Sequence, residues 1–157
     1  MQAMHIVHQD QAIHVFGIEL RTSNDEAMQT IPPHWQRFSQ EAVPANIPGK
    51  ISDDVYAVYT HFDHAGSNNQ GVYSLILGAQ VHPHTPLPGG LARAVIPASR
   101  RAVFPVEKGR FDLVGEKWQE IWRRNELPKT FIVEYERYTA QGDIDIFIGL
   151  DKEAARA

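Results

Sequence analysis

The chain is 157 residues long, 43% hydrophobic and 22% charged, with a net charge of -4 and no cysteine. That length suits one domain with a sizeable core; missing thiols exclude disulfides, thiolate metal sites and thiol nucleophiles, and the acidic balance argues against a nucleic-acid surface built on bulk positive charge. No apolar run reaches membrane-spanning length, and the opening MQAMHIVHQDQ lacks the regions of a signal peptide, so a cytoplasmic location is expected.

Residues 4–8 and 12–20 read as a β-hairpin joined through Gln9, Asp10 and Gln11. A helix follows, with Ser23 and Glu26 spaced as a capping box. Pro32 and Pro33 predict a kink or a fresh start at Pro33, with Trp35 and Phe38 on the buried side. After the connection 43–54, residues 55–62 and 72–81 form a second hairpin across the polar loop DHAGSNNQG. The punctuated stretch HPHTPLPGG, 82–90, divides the chain into halves.

The second half repeats the order of the first. Residues 91–97 and 101–109 give two strands, FDLVGEKWQEIWRRN a helix, and FIVEYERY with DIDIFIGL two more strands. Phe111, Val114, Trp118, Ile121 and Trp122 recur at helical spacing as one apolar stripe. Such a stripe assigns Trp118 to the core and leaves Trp122 open. Short matches in the same order support a duplication: Val15-Phe16 with Val103-Phe104, Trp35 with Trp118, Tyr59 with Tyr135, and Leu77-Gly78 with Ile148-Gly149. The expected fold is therefore α+β. Two pseudo-symmetric β-α-β-β repeats, about 4–81 and 91–150, would build an antiparallel sheet with a ligand groove where they meet.

The last hairpin, 131–150, carries the acidic residues a core would not need. Alternation puts Phe131, Val133 and Tyr135 on one face of its first strand and Glu134, Glu136 and Tyr138 on the other. On the second strand Ile144, Ile146, Ile148 and Leu150 leave Asp145 and Phe147 opposite. If the two apolar faces coincide, Glu134, Glu136, Tyr138, Asp145 and Phe147 line one acidic and aromatic surface, the composition of a site for organic cations. The plain alternative for Glu136 is a solvated strand residue paired with Arg137 or Lys129. Glu134 and Asp145 have a plain alternative too, as edge-strand charges that discourage sheet association.

Other constellations carry less. All eight histidines fall in the first 84 residues, but His61-x-x-His64 and His82-x-His84 fall short of a full zinc ligand set. Ser74 and Ser99 have no base partner or nucleophile turn. Arg93, Arg100 and Arg101 form a small basic cluster that reads as a solvated face, with a nucleic-acid phosphate or an acidic protein partner as the alternatives. No metal or cofactor is implied.

The segments IPPHWQRF, YSLILGAQV, PASRRAVFPVEKG, YERY and DIDIFIGL, in this order and spacing, resemble the GyrI-like family. These are effector-binding domains of bacterial transcription activators, with stand-alone members that include integron-cassette proteins. The resemblance covers about residues 4–150 and implies two strand-helix-strand-strand repeats around a central groove. It further implies that an aromatic-Glu-x-Tyr segment supplies a buried glutamate for cationic, lipophilic ligands. Tyr135-Glu136-Arg137-Tyr138 matches it, so Glu136 takes that role, and Trp35 matches the helix tryptophan. The family's terminal Ile-Pro-Ile-like stretch is Ile148-Gly149-Leu150 here, a change expected to alter strand termination more than ligand choice. With few residues flanking the matched region, the DNA-binding helix-turn-helix of attached regulators is not expected in this chain.

The resulting expectation is a binding protein for lipophilic or cationic organic molecules, with Glu136 as counter-charge and Tyr138, Phe147, Trp35, Tyr56 and Phe104 as walls. Partners would be the small molecule and, as an option, a separate DNA-binding regulator, with no direct nucleic-acid or membrane contact. The resemblance leaves two alternatives: a small hydrolase of cyclopropane-type toxins using Glu136, or an interaction module such as a topoisomerase inhibitor. Catalysis asks for a dry Glu136; an ion-pairing sensor tolerates a wetter one.

Overall fold

The computed structural model describes residues 3–151. In chain order it contains β1 (His5–Gln9), β2 (Ile13–Ser23), α1 (Ala27–Gln40), β3 (Val55–Thr60), β4 (Val72–Val81), β5 (Ala92–Ile96), β6 (Ser99–Val106), α2 (Val114–Arg123), β7 (Glu134–Tyr138) and β8 (Ile144–Leu150). The architecture is α+β. All eight strands join one sheet in the order β1-β6-β8-β7-β3-β4-β2-β5, with every neighbour antiparallel. Read outward from the centre, β3-β4-β2-β5 in one direction mirrors β7-β8-β6-β1 in the other. A pseudo-twofold axis thus runs between β3 and β7. Among the described residues no helix is long and apolar enough to cross a membrane.

The edge strands are exchanged between the halves. β1 precedes β2 in the chain yet pairs with β6, and β5 precedes β6 yet pairs with β2. The hairpin expected from residues 4–8 and 12–20 therefore does not form. Alternation identifies a strand but not its partner, and here each short connection carries the chain across to the other half. The same two connections hold the sheet's edges close. The Gln9 side-chain amide, at the end of β1, donates to the Pro97 carbonyl just after β5, at 3.2 Å. So the sheet curls around one face. Val15, Tyr56, Val58, Ile76, Ile96, Val103, Tyr135 and Phe147 meet there in one buried cluster that draws on no helical residue.

Arg101 is sealed into the same face at 1% exposure, which corrects its assignment to a solvated basic cluster. Its guanidinium donates to Gln9 Oε1 at 2.9 Å, the Val133 carbonyl at 2.8 Å and the Pro97 carbonyl at 2.9 Å. These bonds satisfy a charge that burial would otherwise make costly. Gly149 makes the space: a Cβ there would meet Thr130 Oγ1 at 2.6 Å and Arg101 Nη1 at 3.2 Å.

The opposite face carries both helices. α1 sets Phe38 on Phe16, Ile18, Leu75 and Leu77. His34, one turn earlier, donates from Nε2 to the Ile18 and Leu75 carbonyls at 3.1 and 3.2 Å. Burial lowers its pKa, which keeps the ring neutral. α2 sets Trp118 and Ile121 on Phe104, Ile144, Ile146 and Ile148. The expected capping box is not made. Glu26 is the N-cap without a side-chain bond, and its N–H goes to the Ser23 carbonyl at 3.1 Å in a backbone turn. Nor do Pro32 and Pro33 restart α1, which runs through both. The carbonyls they leave unbonded belong to Met28 and Gln29, which are exposed to water.

Candidate functional site

Directly opposed residues of neighbouring antiparallel strands point to the same side of a sheet. Glu136 opposes Ile146 on β8 and Ala57 on β3, and Tyr138 opposes Ile144. The acidic face of β7 and the isoleucine face of β8 are therefore one face, the one that carries the helices. Tyr135 opposes Phe147 and Arg137 opposes Asp145 on the far side. This corrects the expectation that Asp145 and Phe147 share a surface with Glu136. The turn at 139–143 sets the parity: its five residues place Tyr138 against Ile144, so even numbers meet even numbers.

Glu136 lies at the middle of the sheet, between the clusters under α1 and α2, and is 2% exposed. Three neutral donors hold its carboxylate. Tyr138 donates its hydroxyl to Oε1 at 2.5 Å, while Tyr59 on β3 and the Trp118 indole on α2 donate to Oε2 at 2.8 and 2.6 Å. Burial pushes the Glu136 pKa up, and the bonds from Tyr138, Trp118 and Tyr59 pull it partly back. Burial and the facing carboxylate raise Tyr59 and Tyr138 well above an ordinary phenol, so both remain donors. No described cation forms an ion pair with Glu136. Arg137 reaches Asp145 at 3.6 Å on the other face, and Lys129 donates to the Arg124 carbonyl at 2.6 Å. The plain reading of Glu136 as a solvated, Arg137- or Lys129-paired residue is thereby overturned.

Aromatic rings surround this carboxylate. Trp35 on α1 meets Tyr138 edge-on at 5.4 Å between centroids, and Phe111, just before α2, stacks on the same ring at 5.7 Å. Trp118 meets Tyr59 edge-on at 5.2 Å and Trp122 at 6.0 Å. Both helices and both central strands thus contribute to one aromatic box, and Phe111 at 64% exposure forms its solvent edge.

Of the sequence-derived candidates, Glu136, Tyr138 and Trp35 come together here. Glu134 shares their face and is 3% exposed. Phe104 lies on the helical face but is buried in the core beneath α2, where Arg124 covers its ring. Tyr56 and Phe147 do not wall the groove: they pack into the curled interior, each stacked on Tyr135 at 5.8 and 4.5 Å. Sequence reasoning passed over Tyr59 and the second role of Trp118. A signal for Trp118 was available, since a buried indole N–H needs an acceptor and the apolar stripe around it offers none. Tyr59 was hidden by a misaligned repeat. It opposes Leu75 as Glu136 opposes Ile146, three residues before Gly78 and Gly149 respectively. The pseudo-twofold therefore relates Tyr59 to Glu136, and not to Tyr135.

The antiparallel α+β sheet with two helices is the fold of the GyrI-like effector-binding domains. The model of one family, Cass2, integron-associated effector binding protein, matches residues 5–150, and the chain belongs to that family. Three solved structures share the fold. An integron cassette protein from the mobile metagenome of Vibrio cholerae has a TM-score of 0.74 at 22% identity, over 96% of this chain and 97% of that one. The protein SAV2435 bound to tetraphenylphosphonium has a TM-score of 0.79 at 15% identity, over 98% and 97%. A bacterial transcription regulation protein from Staphylococcus aureus MU50 has 0.73 at 13%, over 96% and 99%. No curated protein sequence matches significantly.

Proposed function

We propose that this effector-binding protein takes lipophilic organic cations into the aromatic box between α1 and α2, with Glu136 as counter-charge. The observation that carries this reading is the Glu136 carboxylate, buried at 2% exposure with three neutral donors and no described cation. Neutral donors hold a carboxylate in position without discharging it, so an incoming cation gains the full charge interaction. Each aromatic face adds about 0.5–2 kcal/mol for a cation over it, which brings one charge and several rings to micromolar affinity with loose specificity. SAV2435, a neighbour in fold, is bound to a cation of this class. The output is sequestration of the ligand, or a signal passed to a separate DNA-binding regulator.

Calorimetry and thermal shift with tetraphenylphosphonium, against neutral triphenylphosphine oxide, test this. The cation at about a hundred times its Kd should add about 2.7 kcal/mol of stability, the neutral compound much less, and Glu136→Gln should erase the difference. Equal responses of wild type and Glu136→Gln would overturn the role of Glu136.

One observation favours a second reading. Glu136 is drier than an ion-pairing sensor requires, and its raised pKa suits a general base acting on a cyclopropane-bearing toxin. In that mechanism the water takes the acceptor site that Tyr138 leaves open on Oε1, since a carboxylate offers about four and the three donors use three. Turnover of such a substrate by wild type, lost in Glu136→Gln and in Tyr138→Phe, would establish it.

A further inference from the structure

Trp122, in the last turn of α2, leans on Trp118 and is 39% exposed. Two cavities, of about 280 and about 380 Å³, meet at this residue. They share Trp122 and Asn69 in their walls, and so form one cleft with two lobes. Neither lobe is lined by Glu136 or by the three groups that bond its carboxylate. Together the lobes fall within the range of about 300–1,000 Å³ usual for small-molecule sites.

The two lobes differ in chemistry. The smaller is walled by the rings of Trp122 and Phe131 and by Leu127 and Pro128, with the Asn69 and Asn125 amides at its border. Phe131 stands in the left-handed region at φ 52°, a conformation rare for a bulky side chain and costly to hold. The Gly66 N–H donates to its carbonyl at 3.2 Å and ties it to the loop between β3 and β4. Such strain persists where the surroundings fix the residue, and here it fixes an aromatic wall. The larger lobe is polar, with Ser23, Asn24, Asp25 and Gln70 beside the shared Trp122 and Asn69. Asn24 Oδ1 accepts the Tyr73 hydroxyl at 2.9 Å, which leaves its NH₂ free to donate. The side chains of Asp25, Asn69 and Gln70 make no hydrogen bond among the described residues. Their loop is nonetheless held, since Gln70 N–H donates to Asn68 Oδ1 at 2.9 Å and Val72 N–H to Asp63 Oδ2 at 2.7 Å.

Charge narrows the occupant. Among the described residues that line the two lobes, Asp25 and Lys129 are the charged ones, and their signs oppose. Lys129 gives its ammonium to the Arg124 carbonyl at 2.6 Å, so a phosphate meets no uncommitted cation. A wholly lipophilic molecule would desolvate the amides of the larger lobe without replacing their hydrogen bonds. We infer that the cleft binds a neutral aromatic glycoside. Its flat ring lies against Trp122 and Phe131, and its sugar hydroxyls bond Asn24, Asp25, Asn69 and Gln70. A flat ring gains from stacking on an indole as a nucleobase does. Side-chain amides both donate and accept, as neighbouring hydroxyls of a sugar require. Nucleosides and phenolic glycosides share this chemistry. The site is separate from the aromatic box and does not depend on the reading of Glu136.

The test is titration of the full chain with adenosine and with 4-methylumbelliferyl β-D-glucoside, followed by the indole N–H signals in nitrogen–proton correlation spectra. A probe that fits should shift the Trp122 signal, identified by its loss in Trp122→Phe, and spare that of Trp35, which lies against Tyr138. Binding of adenosine alone assigns the cleft to nucleosides and binding of the glucoside alone to phenolic glycosides; either supports the inference. Methyl β-D-glucoside and 7-methoxy-4-methylcoumarin, which each fill one lobe, should bind at least about tenfold more weakly than the joined molecule. Trp122→Ala should weaken binding by about tenfold, the effect of one lost stacking contact. Asn69→Ala, which breaks no hydrogen bond within the described residues, should weaken it by about fivefold and keep the fold. Met28→Ala, at an exposed position of α1, should bind as wild type does. Three results would overturn the inference: no shift with either probe at millimolar concentration, shifts that move Trp35 and spare Trp122, or undiminished binding in both Trp122→Ala and Asn69→Ala. A fragment that binds as tightly as the joined glucoside would overturn it as well.

Discussion

Replacing Glu134 by Gln keeps the side chain's shape and removes its charge, so it isolates what ionisation costs the fold. Burial raises this carboxyl from 4.5 to about 7, against the opposing pull of Lys129 and Arg101. The folded protein therefore binds more protons than the unfolded chain between those values, and stability must fall as pH rises through the window. At about 1.4 kcal/mol per pH unit, the interval amounts to about 3 kcal/mol. Gln behaves like the protonated acid at every pH. Urea unfolding of wild type and Glu134→Gln at pH 5 and pH 8 should thus show the variant gaining about 3 kcal/mol relative to wild type between the two conditions. In thermal unfolding, this is a relative gain of roughly 6–12 °C for a chain of this size. Other ionisable groups, Glu136 included, are common to both proteins and largely cancel. A difference that does not change with pH, or that changes in the opposite direction, would refute the reasoning.

Trp118→Phe removes the 2.6 Å bond to Glu136 while keeping an aromatic ring. It should cost about 1.5–3 kcal/mol in urea unfolding, the range for a hydrogen bond to a charged group, and less in a Glu136→Gln background. Gly78→Ala should be among the most damaging small substitutions, at the upper end of about 1–3 kcal/mol for overpacking or beyond it, because its Cβ would lie 1.8 Å from the Phe16 carbonyl oxygen. Thermal unfolding checks it. Ring nitrogen shifts of His34 should show a neutral, Nε2-protonated imidazole at pH 6.5, since its folded pKa lies below the ordinary value. Stability from this residue is present above pH 6.5 and lost as pH falls through the lower, folded pKa. A His34 ring that titrates at 6.5 or above would contradict its buried, donating role.

Local pattern was enough to find the elements. The β3–β4 hairpin across its polar loop, the apolar stripe of α2 and the second strand of the last hairpin all follow from periodicity and punctuation. Glu136 stood out because an acid between tyrosines on a strong strand is unusual for a core. Strand pairing was less legible. Residues 5–9 look equally good beside β2 or β6, and only assembly of the whole sheet favours the exchange that brings its edges together. Arg101 illustrates the same limit. A basic residue next to Arg100 reads as surface until Gln9, Val133 and Pro97 converge on it from separate parts of the chain.

By itself the sequence determined the α+β class, the repeated order of elements, the two helices and the glutamate at the centre of the candidate site, because each is written in spacing along one segment. Which face that glutamate shares was decided by tertiary structure. Period-two alternation defines two faces of a strand without saying how they match those of its neighbour, and a one-residue change in register exchanges them. The five-residue turn after Tyr138 made that choice, bringing Glu136 beneath the helices and sending Asp145 and Phe147 to the other side. Tyr59 and Trp118 became its partners because sheet pairing and helix packing bring residues 77 and 18 positions away in sequence within hydrogen-bonding distance of one carboxylate.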